Sequence, residues 1–402
     1  MRILTIHNFY KQAGGEDTVF HAEAALLEQY GHQVEKLTFS NKEVNSLPEK
    51  LKAAVGVVYN AGSAKIVEQR IKAFGPDVIH VHNFFPLLSP AVFYVAHRLR
   101  IPVVMTLHNY RLVCPSALLY YKGKIQTENL HKTFPLGAIR DKVYRDSAVQ
   151  TASVVLTTGI HKVLRTWERK VDKFIALTPG AARLFKDSSL KLRPEQLAVK
   201  PNFTEDLGIG TNQREEYMLY VGRLTPEKGI ETLLRAHAEQ PFPLKIVGDG
   251  PLRALVEAHA AQNPTLEYLG YLKRDDALEL IKSAKGLIFS SEWLETFGMT
   301  IIEAFSTGTP VVAAKIGGAE QLVEHGINGL HYTPGNAAEL AEKVQKLLTE
   351  PQLAADLGRA ARQTYEDRYT PEVNYHQLVA IYQEAIAAKK MPIPEKEVAQ
   401  LQ

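Results

Sequence analysis

Residues 290–313, SSEWLETFGMTIIEAFSTGTPVVA, decide the fold. The stretch follows a short apolar run, crosses a polar loop, opens a helix near Phe297 and Gly298, and enters a second apolar run at Pro310. Strand, loop, helix and strand in this order predict a parallel sheet whose strands are joined by helices that cover its faces.

The same alternation extends over most of the chain. Eight short apolar or β-branched runs predict buried strands: Arg2–His7, Asp77–His82, Pro102–Leu107, Phe174–Leu177, Tyr217–Val221, Leu244–Val247, Gly286–Phe289 and Pro310–Ala314. Helical periods lie between several of them, namely Thr18–Tyr30, Thr232–Gln240 and Ala277–Ala284. The fold class is therefore α/β, with doubly wound parallel sheets.

The alternation occurs twice, which predicts two Rossmann-like domains. The first covers residues 1–200 and the second residues 201–369, with the best linker candidate between residues 199 and 214. A helical tail follows from about residue 351, and Pro392 and Pro394 end it. Doubly wound sheets bind ligands at the carboxyl ends of their strands, so the cleft between the domains is the expected active site.

Composition excludes several classes of protein. The chain has 402 residues, 45% of them hydrophobic and 23% charged, which rules out bulk disorder and collagen-like structure. No apolar run approaches the ~18 residues of a membrane span, and the first residues lack the features of a secretory signal. Cys114 is the single cysteine, which fits a reducing compartment and leads us to expect a cytoplasmic protein.

Charge is distributed unevenly along the chain. Residues 1–200 carry 28 Lys and Arg against 16 Asp and Glu, whereas residues 201–402 carry 19 against 28. A basic half attracts phosphates or anionic lipid head groups, although scattered solvated lysines explain the same count. We expect no nucleic-acid partner, because no recognised nucleic-acid motif is present.

Glu295 and Glu303 lie eight residues apart across the junction of loop and helix in the deciding stretch. A carboxylate accepts hydrogen bonds from two hydroxyls, which suits a sugar or a ribose. The free amides of Phe297, Gly298 and Met299 would lie at the start of the helix, where backbone N–H groups bind phosphate.

Further motifs follow other predicted strands. In VGRLTPEKG, after Val221, the cations Arg223 and Lys228 suit a diphosphate. The glycine turns VGDGPL and LGYL add weaker candidates for nucleotide binding: Gly248, Tyr271 and Leu272.

Two features of the first half also point to the cleft. Gly14 and Gly15 allow close approach of a substrate at the start of a helix. His108 ends a predicted strand and would donate a hydrogen bond to a substrate hydroxyl.

His80 and His82 form a His-x-His pair that we expect to face opposite sides of its strand, so no metal site is predicted. The sequence also lacks an Asp-x-Asp motif.

Together these motifs resemble the retaining nucleotide-sugar glycosyltransferases of family 4, which share the GT-B architecture. The resemblance rests on the family order of five motifs: Gly14-Gly15, Thr106-x-His108, Gly222-Arg223 with Glu227-Lys228-Gly229, Gly248-Asp-Gly250, and Glu295-x7-Glu303. Gly317-Gly318 resembles the family's glycine turn below the donor, and the final helix, residues 370–402, would return to the first domain.

The resemblance implies a role for each of these residues. Arg223 and Lys228 would hold the diphosphate and Glu303 the ribose, while Glu295 and His108 would contact hydroxyls of the donor sugar. It assigns catalysis to His108, Arg223, Lys228 and Glu295. Donor binding involves Gly14, Gly15, Gly222, Gly248, Tyr271, Leu272, Thr296, Phe297, Gly298, Met299 and Glu303.

The implied reaction transfers a hexosyl group with retention at the anomeric carbon and needs neither metal nor cofactor. The donor is a nucleotide-diphosphate sugar, with UDP favoured over GDP. Cations and helix amides would stabilise the departing oxyanions, and domain closure would exclude water.

The predicted acceptor is a sugar or a lipid-linked sugar used in cell-surface polysaccharide assembly. Residues 131–173 are basic and contain Tyr144 and Trp167, and Phe174 follows directly. Within them, residues 161–170 suggest an amphipathic helix touching an anionic membrane, which would place the protein on the inner face of the plasma membrane. A buried tryptophan beside solvated cations is the competing interpretation.

Two other functions stay open at the level of sequence. A nucleotide-sugar 2-epimerase shares the architecture but needs acid–base carboxylates in the cleft of the first domain, which the sequence does not locate. A catalytically inactive sugar-nucleotide-binding subunit is the other alternative. A nicotinamide-dependent dehydrogenase is disfavoured, because no complete glycine fingerprint follows a strand.

Overall fold

Two six-stranded parallel sheets form the framework of the protein, as a computed structural model of residues 1–10, 14–40, 56–210 and 214–390 shows. The first sheet has the strand order β2-β1-β3-β4-β7-β8. Its strands are β1 (Arg2–Phe9), β2 (Gln33–Ser40), β3 (Val78–Val81), β4 (Val103–Leu107), β7 (Lys173–Ala176) and β8 (Leu197–Val199). A two-stranded hairpin lies between β4 and β7, formed by β5 (Tyr120–Tyr121) and β6 (Lys124–Ile125).

The second sheet has the order β11-β10-β9-β12-β13-β14, the Rossmann order read from its own first strand. Its strands are β9 (Glu215–Val221), β10 (Leu244–Val247), β11 (Leu266–Gly270), β12 (Ala284–Phe289), β13 (Val311–Ala314) and β14 (Gly329–Tyr332). The predicted α/β class with two doubly wound sheets is confirmed.

Helices cover both sheets. Those of the first half are α1 (Gly15–Gln29), α2 (Ala61–Phe74), α3 (Ala91–Arg98), α4 (Leu136–Arg140), α5 (Ala148–Val163), α6 (Thr166–Lys170) and α7 (Pro179–Lys186). Those of the second half are α8 (Ile230–Glu239), α9 (Arg253–Gln262), α10 (Arg274–Ser283), α11 (Met299–Ser306), α12 (Gly317–Leu322), α13 (Ala337–Thr349), α14 (Pro351–Arg368) and α15 (Pro371–Lys390). Among the described residues, no helix has both the length and the apolar character needed to cross a membrane.

All eight predicted strands are present, with ends that differ by at most two residues. The sequence analysis missed the four edge strands of the two sheets: β2, β8, β11 and β14. β2 has a single buried residue and β8 is three residues long, so neither produces the apolar run that marks an internal strand.

The prediction of one amphipathic helix over residues 161–170 was wrong. The chain turns at Arg165, whose φ of 54° is left-handed, so α5 ends and α6 begins within this segment. Trp167 is buried against Phe84 and Phe93 in the core of the first sheet and is not available to a membrane.

The final helix α15 packs on the first sheet, although it follows the second sheet in the chain. Leu378, Tyr382 and Ala385 lie against Ile3 and Val78 in one apolar cluster. The remaining predicted tail, including Pro392 and Pro394, lies outside the described residues, as do residues 211–213 of the predicted linker.

The segment after β8 is anchored by a buried ion pair. The Nζ atom of Lys200 donates to Oε1 of Glu23 on α1 at 2.6 Å, and both side chains are almost fully buried. The Nδ2 atom of Asn374 on α15 donates to the carbonyl of Pro201, the next residue. The crossing between the two sheets is therefore held to the first domain.

Replacing Lys200 with methionine leaves the carboxylate of Glu23 buried without its cation. We expect the free energy of unfolding to fall by about 3–5 kcal/mol, measured by urea denaturation. The matched change Lys36→Met breaks a half-exposed pair with Glu28 and is expected to cost less than about 1 kcal/mol. Equal losses in the two variants would contradict the anchoring role of Lys200.

Candidate functional site

A cleft of about 960 Å³ lies between the two sheets and is lined by both halves of the chain. The first half contributes Gly14 and Gly15 from the start of α1 and His108 from the end of β4. The second half contributes the ends of β9 and β12 and the start of α11. Ten of the predicted site residues line this cleft: Gly14, Gly15, His108, Gly222, Arg223, Lys228, Glu295, Thr296, Phe297 and Met299.

Lys228 and Glu295 meet directly in the second half of the cleft. The Nζ atom of Lys228 donates to Oε1 of Glu295 at 2.5 Å, and the same oxygen accepts from Ser291 Oγ and from Trp293 Nε1. The side chain of Lys228 is 18% exposed and that of Glu295 is 11% exposed. Because an ammonium has three donors, Lys228 retains capacity for a second anionic partner in the cleft.

Arg223 is the more accessible cation. Its side chain is 57% exposed, and Nη2 lies 3.5 Å from Oε1 of Glu227. Tyr220 Oη donates to the carbonyl of Arg223 at 2.9 Å, which fixes the backbone from which the guanidinium extends. Two cations of different exposure thus face the same space.

The start of α11 adds backbone donors to this space. Gly298 is the cap residue before α11, and no side chain caps the helix there. The loop before α11 packs on the turn at Gly317-Gly318, where the amide of Gly318 donates to the carbonyl of Glu295 at 2.7 Å. A Cβ on Gly318 would lie 2.9 Å from the Cα of Phe297, so only glycine permits this approach. The glycine turn therefore positions the loop that carries Glu295.

Five predicted site residues lie outside the cleft lining: Gly248, Tyr271, Leu272, Gly298 and Glu303. Glu303 is 8% exposed on α11 and accepts from Arg274 Nη2 at 2.9 Å. Burial raises the pKa of its carboxyl, and Arg274 opposes that rise. Tyr271 is 77% exposed, which leaves its side chain open to solvent.

Thr296 connects the two halves of the chain. Its Oγ1 donates to the backbone carbonyl of His108 at 2.8 Å, and its own carbonyl accepts from Thr178 Oγ1 at 3.2 Å. The loop that carries Glu295 is therefore hydrogen-bonded to the end of β4 and to the start of α7.

A buried row of side chains lies behind His108. His108 Nε2 is 3.1 Å from His82 Nδ1, and His82 Nε2 is 3.6 Å from the carboxylate of Glu23. Burial, followed by neighbouring positive charge, holds the pKa of His108 and of His82 well below 6.5. Both imidazoles are thus neutral near pH 7, and one of the two must donate to the other.

The expectation that His80 and His82 face opposite sides of their strand was wrong. Their ring centroids are 4.1 Å apart, because residues two apart in a strand point to the same face. Glu23 approaches both imidazoles, and these three residues have the donor types of a metal site. The ammonium of Lys200, 2.6 Å from the same carboxylate, provides the positive charge in this cluster.

Sequence reasoning missed the polar wall of the first domain. Glu16, at the start of α1, lines the cleft and accepts from Asn83 Nδ2 and Asn109 Nδ2 at 3.3 Å each. Burial, and then the charge of Asp17, raises the pKa of Glu16 to about 7. The signal was present in the sequence as the residue directly after Gly14-Gly15 at the start of a helix.

Arg111 is the second missed residue and also lines the cleft. Its guanidinium lies over the rings of Phe85 and Tyr144, with the central carbon 5.0 and 4.7 Å from the ring centroids. Nε and Nη1 are buried without a hydrogen-bond partner among the described residues. A buried guanidinium with unused donors suits an anionic ligand.

Two family models together match the chain from residue 13 to residue 364. Residues 13–205 match the model described as Glycosyltransferase Family 4, and residues 204–364 match Glycosyl transferases group 1. A glycosyltransferase of Methanocaldococcus jannaschii, itself uncharacterized, is 24% identical over 90% of this chain and 93% of its own. Glycogen synthase of Mycobacterium tuberculosis is 29% identical over 82% of this chain and 74% of its own.

Solved structures share the fold. HepE of Anabaena, solved in complex with UDP, superposes with a TM-score of 0.67 and 20% identity over 95% of this chain and all of its own. This likeness confirms the GT-B architecture of two facing Rossmann-like domains. The chain belongs to the glycosyltransferases of family 4.

Glu16 predicts a pH dependence of stability that can be tested without substrate. An unfolded glutamate ionises near pH 4.5, whereas folded Glu16 ionises near pH 7. Between these values the unfolded chain binds fewer protons, so Glu16 increasingly disfavours the folded state as the pH rises, with no further change above about pH 7. We therefore expect Glu16→Gln to raise the melting temperature more at pH 8 than at pH 4.5.

The control is Glu28→Gln, on the same helix but 46% exposed. Its effect on the melting temperature should be small over the same pH range. A Glu16→Gln effect that stays constant from pH 4.5 to pH 8 would show that the carboxyl is not strongly perturbed.

Proposed function

We propose that the protein transfers a hexosyl group from a nucleotide-diphosphate sugar, a UDP-sugar rather than a GDP-sugar, to a hydroxyl of a sugar or a lipid-linked sugar. Transfer proceeds with retention, without a metal ion, in the assembly of a cell-surface polysaccharide. The observation that carries the proposal is one cleft in which Lys228 and the open start of α11 face Gly15 and His108 from the other domain.

The second domain is the donor side. Lys228, Arg223 and the first amides of α11 supply positive charge where a diphosphate departs, and these groups are in position before the reaction. Glu303 on α11 accepts the ribose hydroxyls. The UDP complex of the similar Anabaena protein supports the choice of nucleotide.

Glu295 binds the donor sugar rather than attacking it. Its Oε1 already accepts three hydrogen bonds, from Lys228, Ser291 and Trp293, which lower the nucleophilicity of the carboxylate. Glu295 and Glu16 are the only carboxylates among the described residues that line the cleft. We therefore propose that the departing diphosphate takes the proton of the acceptor hydroxyl, which attacks from the same face.

The first domain is the acceptor side. Glu16 accepts a hydrogen bond from an acceptor hydroxyl, and Arg111, whose Nε and Nη1 atoms have no partner in the described part of the chain, binds an acceptor phosphate. Arg145, which also lines the cleft, adds a second cation there. An acceptor with both hydroxyls and a phosphate is what a sugar linked to a lipid through phosphate provides.

A nucleotide-sugar 2-epimerase is the second candidate, since Glu16 places one acid–base group in the cleft of the first domain. Such an isomerase converts the donor with no acceptor present. Analysis of products from the donor sugar alone separates the two activities, because a transferase leaves the configuration of the unreacted donor unchanged.

Replacing Lys228 with alanine removes the cation that faces the departing diphosphate. We expect turnover with the donor and acceptor to fall by roughly 10²–10³-fold, while the circular-dichroism spectrum stays unchanged. The wild-type protein should turn over at the same rate with and without EDTA. A loss in EDTA that manganese restores would overturn the metal-independent mechanism.

The matched control is Lys343→Ala, because Lys343 is also 18% exposed and ion-paired, with Glu342, but lies on α13 away from the cleft. Its turnover should equal that of the wild type.

UDP should also stabilise the wild type by about 2.7 kcal/mol at 100 times its dissociation constant. Stabilisation by GDP but not UDP would correct the choice of base.

Arg111→Lys keeps the charge but loses the planar donor pair. We expect the KM for an isoprenoid-phosphate-linked sugar to rise about tenfold, with the KM for the donor unchanged. The control Arg140→Lys alters a side chain that is 83% exposed and outside the cleft lining, and should change neither constant. An increase confined to the donor KM would move Arg111 to the donor side.

A further inference from the structure

Helix α5 (Ala148–Val163) carries a row of apolar side chains on its outer side. Val149, Leu156 and Val163 are 72%, 48% and 64% exposed. They are spaced by seven residues and therefore lie along one face of the helix, over a length of about 21 Å. Val154 and Val155 of the same helix are buried, so the exposed apolar row is additional to the apolar side chains that the core covers.

The inner face of α5 combines Val154 and Val155 with polar side chains whose hydrogen bonds are satisfied. Thr151, Thr157 and Thr158 are buried, and each donates its hydroxyl to a backbone carbonyl four residues earlier on or just before the helix. His161 is also buried, with Nε2 2.9 Å from the carbonyl of Val58. These satisfied polar groups and the two buried valines fix the orientation of α5, which leaves Val149, Leu156 and Val163 outside.

Neighbouring residues enlarge this face. The ring of Phe134 lies against Gly159, where a Cβ would come within 2.3 Å of it. Phe134 is 37% exposed, and Leu136 and Leu164 are 63% and 54% exposed. We call these six side chains the outer face: Phe134, Leu136, Val149, Leu156, Val163 and Leu164. Grouped apolar exposure of this kind marks an interaction surface, unlike single exposed residues.

Cations outnumber acids in the part of the sequence that carries the outer face. Between residues 131 and 165 the exposed charged residues are two acids, Asp141 and Asp146, and five cations: Lys132, Arg140, Lys142, Arg145 and Arg165. Lys132 directly precedes the segment that carries Phe134, and Arg165 directly follows Leu164. An apolar face with a basic border has the composition of a surface that lies on an anionic bilayer.

The outer face adjoins the acceptor side of the cleft. Tyr144 and Arg145 line the cleft, and Val149 follows Arg145 by four residues. A bilayer on the outer face would therefore lie close to the mouth of the cleft that Arg111 and Tyr144 form.

We propose that the outer face of α5 docks the protein on an anionic membrane and thereby presents a lipid-borne acceptor to the cleft. This inference rests on the proposed function for the identity of the acceptor, but the docking itself does not depend on turnover. A second copy of the chain fits the face less well, because a symmetric dimer would bring the same basic border against itself.

The test is co-sedimentation of the full chain with vesicles, compared between the wild type and the double variant Leu156→Asn/Val163→Asn. We expect wild-type binding to vesicles of one-third phosphatidylglycerol, at least about tenfold weaker binding to pure phosphatidylcholine, and about tenfold weaker binding of the double variant to the anionic vesicles. The matched control is Ile327→Asn, since Ile327 is 55% exposed but lies in the second domain. It should bind like the wild type.

Three results would overturn the proposal: no binding of the wild type to anionic vesicles, equal binding of the double variant, or a wild-type dimer in light scattering that the double variant converts to a monomer. Should the asparagine variant unfold, Leu156→Ala/Val163→Ala reports the same loss with less change in polarity. UDP binding by calorimetry is measured on each variant. Unchanged UDP affinity beside lost vesicle binding separates the docking surface from the donor site.

Discussion

Direct packing of backbone on backbone at the carboxyl edge of the second sheet is the constraint on which the site depends. A Cβ on Gly229 would lie 1.9 Å from the carbonyl oxygen of Ser290, and one on Gly248 would lie 1.8 Å from that of Gly222. The serine hydroxyl of residue 290 in turn donates to the carbonyl of Lys228 at 2.8 Å. Loops from three neighbouring strands are thereby drawn together, and Lys228 reaches Glu295 because their backbones are already joined. Larger residues would separate the loops and the two charges with them.

This close packing explains why an acidic half of the chain contains a cationic cleft. The excess of Asp and Glu over residues 201–402 is spread over the surface, whereas Lys228, Arg223 and the start of α11 converge on one volume. At the short distances of a partly buried cleft, local charges outweigh net charge, since solvent and salt screen the remote ones. The ligand of the cleft is therefore predicted by the charged groups at the strand ends and not by the net charge of this half of the chain.

The sequence predicted the residues whose signal is local and failed on those whose signal depends on tertiary contacts. Gly15, Lys228 and Glu295 each lie in the segment that follows a strand. Their place at the carboxyl ends of the strands therefore follows from the parallel topology. The role of Glu16 and Arg111 depends on burial against Asn109 and Tyr144, which no spacing encodes. The four missed strands lie at sheet edges, where hydrogen-bonding partners and not apolar runs define a strand. Residues 161–170 were misassigned because an amphipathic pattern does not reveal a turn at Arg165, nor which face of α5 meets the core.

The two halves of the molecule contribute different kinds of rigidity to the same cleft. The second domain holds its loops by glycine contacts, whereas the first holds His108 by a row of buried polar groups that ends at Glu23 and Lys200. Lys200 lies on the segment that leads to the second sheet, and Thr296 of the second sheet bonds back to the carbonyl of His108. The side chain of His108 is thus connected through the buried row to Lys200, whereas its backbone carbonyl is bonded to Thr296 of the second domain. A displacement of one domain against the other would strain the row or break the Thr296 hydrogen bond, so the position of His108 depends on how the two domains are placed.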